Sequence, residues 1–468
     1  MRRLALVLAA GEGTRMRSAL PKVLHRVCGR TMLSWVLETL GELRGSGHID
    51  GVVVVIGSGA DEVRKEVGER GACVVQEERR GTGHAVMAAA PCLDAEGAEE
   101  ILVLTADSPL LTASTLRGLC EVHEAEGAAV TMLGAVLEDP TGYGRVLRDA
   151  SGAVTGIVEE TEAGPEEKAI REVNTSTYVF RWAELRGVLP RLGDDNAKGE
   201  FFLTDTVGLL AGEGGRVAAY ITTDAREVLG VNSRAHLAEA QAIMRARINR
   251  RWMEEGVTME DPSTVYIDAD VSIGADTLLR PLVVLEGATS VGRGCRLGPN
   301  AHIADSRLGD GVTVEQAVVR ECELEDGVSV GPFASLRPGS VFRAGSKAGT
   351  FVETKKTEVG RGSKIPHLSY MGDARIGKDV NVGAGSITCN YDGREKHPTV
   401  IEDGAFIGSD TMLIAPVRVG KGAVTGAGSA ISVDVPDGAL GVERSRQRNI
   451  EGYSEARGKA KEKEEGRP

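Results

Sequence analysis

A run of apolar residues, Leu4–Ala10, leads without a break into Gly11-Glu12-Gly13-Thr14-Arg15-Met16, and Pro21-Lys22 follows closely. Glycines after a first strand let the backbone approach a phosphate chain and offer it N–H groups. Arg15 adds a cation that can grip an anion through two parallel bonds, and Lys22 adds a second. The spacing is neither G-x-G-x-x-G nor the Gly-Lys-Ser/Thr of a Walker loop. A glycine-rich turn alone is common in α/β folds, so its meaning depends on what accompanies it. Asp107, in Leu104-Thr105-Ala106-Asp107-Ser108-Pro109-Leu110, falls just past an apolar run. That is where an open parallel sheet places its ligands. An isolated Asp there is more often a cap, but one facing a polyphosphate is a candidate ligand for Mg²⁺.

A second set of candidates lies in the C-terminal half. Arg337 sits in GPFASLRPG, Lys355 in FVETKK, and His367 and Tyr370 in SKIPHLSYMGD. Asn381-Val382-Gly383-Ala384-Gly385 and Cys389-Asn390-Tyr391-Asp392-Gly393 follow. A lone His is usually structural. His367, however, lies between two loops that carry cations and beside a Tyr, and its side chain is of the type that titrates near neutrality.

Two resemblances follow from these motifs. LAAGEGTRM with LPKVL resembles the signature of sugar-1-phosphate nucleotidyltransferases. Joined in order with GPFASLRPG, FVETKK, HLSYMGDA and NVGAGSITCNYDG, it makes nearly the whole chain apart from its tail resemble the bacterial bifunctional UDP-N-acetylglucosamine pyrophosphorylase and glucosamine-1-phosphate N-acetyltransferase family.

The resemblance implies that Leu8, Ala9, Ala10, Gly11, Gln76, Gly81 and Thr82 hold UTP, with Gln76 and Gly81-Thr82-Gly83-His84 reading the pyrimidine. Gly144, Glu159 and Asn174 would hold the sugar of N-acetylglucosamine-1-phosphate, and Asn232 would join Asp107 on Mg²⁺. Arg15 and Lys22 would meet the charge that develops as a sugar phosphate attacks the α-phosphorus and pyrophosphate leaves. In the second half, Arg337 and Lys355 would bind glucosamine-1-phosphate, and Tyr370 and Asn381 would contact its sugar. His367 would take the proton that the amine must lose before it attacks the thioester of acetyl-CoA. Ala384, Asn390, Tyr391, Ser409, Ala427 and Arg444 would line the acetyl-CoA site, and Lys396 would reach a neighbouring subunit of a homotrimer. Two positions depart from the family pattern. Thr105-Ala106 stands where Tyr-Gly is common, and Glu12 stands where a Lys is common. Two rivals remain at this point: a nucleotidyltransferase whose rod is regulatory, such as an ADP-glucose synthase, and a rod that only assembles subunits.

These residues need two different scaffolds. Residues 1–232 alternate short apolar runs (Leu4–Ala10, Gly51–Ile56, Cys73–Val75, Ile101–Thr105) with helical patterns such as Met32–Leu43 and Asp61–Glu69. That alternation predicts a Rossmann-like α/β nucleotidyltransferase domain with a mostly parallel sheet and helices on both faces. Residues 233–255 read as one connecting helix, with Ser233 as its cap and Leu237, Met244, Ile248 and Trp252 on one face. Beyond Tyr266 the period becomes six, with aliphatic residues at Ile267, Ile273, Leu279, Leu285, Val291, Leu297 and Ile303. A second train runs Ile401, Ile407, Leu413, Val419, Thr425 and Ile431. Six fits neither helix nor alternating strand but suits a left-handed parallel β-helix of hexapeptide repeats, spanning 256–454. The period breaks at Ala344–Pro366 and Asn390–Thr399, which read as loops leaving the stack on its binding face. The tail 455–468 is charged and lacks apolar anchors, so disorder or a frayed helix is expected.

Bulk composition narrows the function classes. A chain of 468 residues exceeds one ordinary core. A net charge of -13 argues against nucleic acid as a partner. The seven Cys are odd in number and lack C-x-x-C spacing, which suits free thiols in a cytoplasmic enzyme better than disulfides or zinc. The first apolar run is too short to cross a membrane, and no membrane role is expected.

Overall fold

The computed structural model describes residues 1–57 and 59–458. The chain divides into two compact units, Met1–Arg251 with Ile267–Ala269, and Trp252–Tyr266 with Asp270 onward.

The first unit is built on strand β1 (Arg3–Ala9), which is apolar after its first residue because both of its faces are covered. Side chains alternate between faces along a strand. Accordingly Ala5, Val7 and Ala9 join one core with Val54, Ile56, Leu102 and Leu104, while Leu4 and Leu6 join the other with Val53, Val55, Ile101 and Val103. On one side of β1 lie β2 (Gly51–Gly57) and β3 (Ala72–Gln76), and on the other β4 (Glu100–Thr105), all paired in parallel. Helices α1 (Met32–Gly45) and α3 (Ala113–Glu126) feed the first core, and α2 (Thr82–Ala95) feeds the second.

The sheet is mixed rather than mostly parallel. After β5 (Val130–Val136) come β6 (Gly144–Arg148), β7 (Val154–Val158) and β8 (Glu172–Arg181), and β9 (Val217–Ile221) ends the series. Among the described residues the main path runs β9-β5-β8-β4-β1-β2-β3, with β6 and β7 branching from β8. Strand β8 is antiparallel to β4, β5 and β6. The segments joining β5, β6 and β7 are too short for the crossover of a dozen or more residues that a parallel return requires. Strand β8 also slips register against β5 between Asn174 and Tyr178, and Ser176 within the slip has φ 57°. A bulge of this kind redirects side chains locally. Helix α4 (Arg234–Glu254) fills the predicted connector. Ser233 Oγ accepts the His236 N–H at 3.2 Å, and Ala240, Met244 and Ile248 are buried.

The second unit is a parallel β-helix of the left-handed hexapeptide type. Its described strands form three sheets, of 11, 10 and 9 strands, each made of every third strand in sequence apart from the last step of the largest. The six-residue period therefore becomes vertical stacking: Ile273 pairs with Val291, Leu279 with Leu297 and Leu285 with Ile303. These inward residues are almost wholly buried. Cys295 and Cys322 are also buried, and all seven cysteines are free.

The expected break at Ala344–Pro366 is not a loop. Ala348, Thr354, Val359 and Ile365 are buried in register there, with Ala348 paired to Ile365 and Thr354 to Met371. The aliphatic pattern lapsed because Ala and Thr fill two inward positions and one step is shortened to five residues. The break at Asn390–Thr399 does carry a loop outside the stack, closed by a bridge between Tyr391 and Lys396. Of the charged tail, residues 455–458 belong to a short helix that begins at 453, and 459–468 lie outside the described residues. No described helix is long and apolar enough to cross a membrane.

Candidate functional sites

In the first unit the C-terminal ends of β1, β3 and β4 open into two adjoining cavities. The larger, about 570 Å³, is lined by Leu8, Ala9, Ala10, Gly11, Gln76, Gly81, Thr82, Lys22 and Asp107. The smaller, about 360 Å³, is lined by Arg15, Asp107, Gly144, Glu159, Asn174 and Asn232. Leu8, Thr82, Thr105, Asp107 and Glu200 border both. Every first-unit candidate from the sequence except Gly83 and His84 thus borders one or both cavities.

At their junction the Lys22 ammonium donates to Asp107 Oδ2 and, at 2.7 Å, to Asn232 Oδ1. Arg15 donates to the same Asn232 oxygen at 2.9 Å. The two residues expected to hold a metal therefore turn their oxygens toward one point, although they are 125 positions apart in sequence (232 − 107). No group of three or more His, Cys, Asp or Glu among the described residues could hold a metal by itself.

Gln76 is buried, and its amide contacts the Gly81 carbonyl at 3.2 Å and the His84 ring at 3.0 Å. Gly81 has φ +101°, and a Cβ there would lie 2.6 Å from the Phe201 carbonyl oxygen, so only glycine fits. The Gly83 N–H donates to that carbonyl at 2.8 Å, and Thr82 Oγ1 accepts the Leu203 N–H at 3.0 Å. Segment 200–203 is thereby fastened along one wall of both cavities. Beside the smaller cavity the bulge in β8 presents Asn174, whose amide donates to the Tyr178 hydroxyl at 2.8 Å, and Glu159 accepts from Thr204 at 3.1 Å. Burial pushes the Tyr143 phenol up, so this cavity-lining hydroxyl keeps its proton.

The two departures from the family pattern occupy distinct places. Thr105 lines both cavities and shares a 2.9 Å contact with Ser108, whereas Ala106 is fully buried and donates its N–H to Leu8. Glu12 is paired with Arg79 across the mouth of the larger cavity. Arg79 and Glu200 are lining residues for which the sequence carried no separate signal.

In the second unit, the repeat stacks the remaining candidates. Thr350 pairs with His367, and the Gly385 N–H reaches the Leu368 carbonyl one coil on. Asp410 N–H then donates to Ala384, and Gly428 N–H to Ser409. Arg444 completes the ladder with a 2.8 Å bond to the Ala427 carbonyl. His367, Ala384, Ser409, Ala427 and Arg444 thus follow one corner of the prism. The His367 ring is exposed rather than sealed in the bore, and it has no hydrogen-bond partner among the described residues.

The neighbouring sheet carries the cations. Arg337 N–H donates to Thr354, and its guanidinium pairs with Glu353 at 2.9 Å, while Lys355 registers with Gly372. Asn381 registers with Lys364, three residues before His367. A Cβ on Gly372 would lie 2.3 Å from the Tyr370 hydroxyl and 2.7 Å from the Asn390 amide, so these two side chains meet where only glycine leaves room. Asn390 also donates to Asp373 at 2.5 Å. In the extruded loop, Asp392 holds the His397 ring at 2.8 Å. Its carboxyl is pulled down to about 2, first by the Glu395 backbone and then by that ring. Lys396 lies beside Lys355 of its own chain, whose contact pushes the Lys396 ammonium down. Two adjacent cations make a surface that favours an anion, with Asp373 close enough to offset part of the charge on Lys396.

Comparison with known proteins agrees with this division. Residues 5–172 match the MobA-like NTP transferase domain, and residues 398–432 match the hexapeptide repeat of succinyl-transferase. The chain is 50% identical over 452 residues to the bifunctional protein GlmU of Heliobacterium modesticaldum, covering 97% of this chain and 98% of that protein. It is 49% identical to that of Thermoanaerobacter pseudethanolicus, with 97% of each covered, and 48% identical to that of Halalkalibacterium halodurans, covering 96% and 98%. With half of its residues shared across essentially the full length of such relatives, the chain belongs to the family of bifunctional GlmU proteins.

Proposed function

We propose that the chain makes UDP-N-acetylglucosamine in two steps. Its β-helix acetylates glucosamine-1-phosphate from acetyl-CoA, and its α/β unit then transfers uridylyl from UTP to N-acetylglucosamine-1-phosphate. The observation that carries this reading is the junction of two adjoining cavities at Lys22, Asp107, Asn232 and Arg15. One cavity is shaped for a nucleotide and the other for a sugar, and the reacting phosphates would meet where the cations lie.

In the uridylyl step no side chain has to form a covalent bond. The sugar-phosphate oxygen attacks the α-phosphorus of UTP, and pyrophosphate departs. Gln76, Gly81 and Thr82 seat the base, and the Leu8–Gly11 backbone follows the triphosphate. Gly144, Glu159 and Asn174 hold the sugar so that its phosphate points at the junction. Arg15 and Lys22 offset the charge that gathers on the leaving group. The donor set also fits Mg²⁺, which binds readily through one or two protein oxygens while keeping waters and substrate phosphates. Asp107 and Asn232, already aimed at one cation, would hold it. Bound there, it would supply positive charge against the pyrophosphate.

In the acetyl step, Arg337 and Lys355 hold the phosphate of glucosamine-1-phosphate, and Tyr370 and Asn381 orient the sugar. His367 accepts a proton from the substrate's ammonium, the freed amine attacks the thioester carbonyl, and as the C–S bond breaks the nitrogen gives up a second proton to the departing sulfur, leaving the amide and the CoA thiol. Small residues at Ala384, Ser409 and Ala427 leave the corner open for the pantetheine arm, with Asn390 and Tyr391 beside it and Arg444 available to a CoA phosphate. The protein acts in the cytoplasm as a homotrimer, with Lys396 placed at the rim of the sugar-phosphate site. The test is incubation with glucosamine-1-phosphate, acetyl-CoA, UTP and Mg²⁺, omitting each in turn and following products by mass. The sugar nucleotide should form only from the complete mixture. Failure of thiol release to depend on glucosamine-1-phosphate would remove the acetyl half of the reading.

A further inference from the structure

We propose that Arg79 is a phosphate-binding residue of the nucleotide cavity, and that Glu12 holds its guanidinium until an incoming triphosphate displaces the carboxylate. This rests on the uridylyl-transfer reading of the first unit.

Three observations support the assignment. Both side chains line the larger cavity together with Gly11, Gly13, Thr14 and Lys22, so Arg79 is a cation inside the phosphate loop's own space. Its guanidinium lies over the end of β2, where a Cβ on Gly57 would stand 2.9 Å from Arg79 and 3.4 Å from the Ala10 carbonyl oxygen. It is therefore at the level of the loop backbone rather than out in solvent. Lastly, Lys22, the other cation lining the larger cavity, is already engaged at the junction with Asp107 and Asn232, and Arg15 is engaged there with Asn232.

The charge arrangement explains why such a residue is needed. Glu12 introduces a negative charge into a loop that has to accept a polyanion. More than half exposed, it is screened by water, so its main effect on the substrate is to occupy the Arg79 guanidinium. Paired with Arg79, it is neutralised, and the pair's side chains are 42% and 59% exposed. An ion pair that open to water is weak and easily exchanged. A guanidinium binds phosphate oxygens through two parallel bonds, which a triphosphate offers in several registers. Exchange of Glu12 for phosphate therefore favours the bound state, while Glu12 turns to solvent. The cation that position 12 lacks is supplied from 67 residues downstream.

The experiment measures the Michaelis constant for UTP and inhibition by pyrophosphate against UTP in R79Q, R79K, E12Q and the E12Q/R79Q double variant. Thiol release by the acetyl half reports folding. R79Q should raise both constants about ten- to a hundredfold, the range of one lost charge-assisted bond, with kcat within threefold and uridine affinity unchanged. R79K should fall between R79Q and the parent. E12Q should lower the constant for UTP several-fold in the parent and by less than twofold in the R79Q background. The proposal is overturned if R79Q weakens uridine but not pyrophosphate, since Arg79 would then read the base. Equal effects of E12Q in both backgrounds also overturn it, because Glu12 would then act without Arg79. If Arg15→Ala leaves uridylyl transfer intact, the underlying site assignment fails instead, whatever Arg79 does.

Discussion

Replacing Lys22 with Gln tests the reaction centre most directly. Its ammonium is the single donor shared by Asp107 and Asn232, with side chains of Lys22 and Asp107 only 11% and 20% exposed. Two consequences can be separated. Asp107 loses its cation, but water still reaches it, so the folding cost should stay near ~1–2 kcal/mol rather than the ~3–5 kcal/mol of a sealed pair. The reacting phosphates lose a preorganised charge, an effect of about 3 kcal/mol in comparable sites. At about 1.4 kcal/mol per tenfold, kcat for uridylyl transfer should fall on the order of a hundredfold. Pyrophosphate release measures that loss, and thiol release from acetyl-CoA in the same preparation should stay within twofold. A fall of less than tenfold would refute the role of Lys22 at the junction. A parallel fall in thiol release would show instead that the substitution damaged the whole chain.

Three other outcomes are expected. His367→Ala should cut thiol release by roughly 10²- to 10⁴-fold, the usual worth of a positioned base. It should leave pyrophosphate release and the unfolding transition unchanged, because the ring is exposed and unbonded. Phe342→Ala should destabilise the β-helix by about 3–5 kcal/mol in denaturant unfolding, since the ring is fully buried between Leu324 and Val359 of adjacent coils. Burial pushes the thiols of Cys28 to about 12 and of Cys120 and Cys322 to about 11. Iodoacetamide at pH 8 should therefore spare them until the protein unfolds, as mass spectrometry can show. For the same groups the folded state binds more protons above the ordinary thiol value of 9.0, so their contribution to stability is intact below that pH. It should decline as pH rises toward 11–12, and a denaturant midpoint unchanged from pH 8 to 11 would contradict this.

Legibility in the sequence follows how locally each feature is determined. An inward residue of the β-helix is chosen by its own place in the coil, so Ile267 to Ile303 could be read directly. The supposed break at Ala344–Pro366 misled because Ala348 and Thr354 fill inward places without being large aliphatics, and a step of five residues slips the frame. The glycine loop was readable because strand, turn and cations are contiguous. The bulge that presents Asn174 was not, since it exists only in the register of β8 against β5. Strand β8 itself reverses direction between β4 and β5, a choice made by sheet neighbours rather than by its own residues. The Glu12–Arg79 pair was invisible for a related reason, because the partners meet only after the sheet brings two distant loops to one edge.

The corner ladder from His367 through Ala384, Ser409 and Ala427 to Arg444 turns the β-helix into a ruler. Successive rungs of a parallel sheet stand about 4.8 Å apart, so three backbone rungs set roughly 14 Å along the axis between the level of His367 and the Ala427 carbonyl that holds the Arg444 guanidinium. Length along the axis is counted in whole coils, and no shift of a side chain alters it. Excising one complete turn would preserve every inward contact and still bring the two ends a full graduation closer. A donor of fixed reach would then overshoot one end or the other, in a rod that had lost none of its packing.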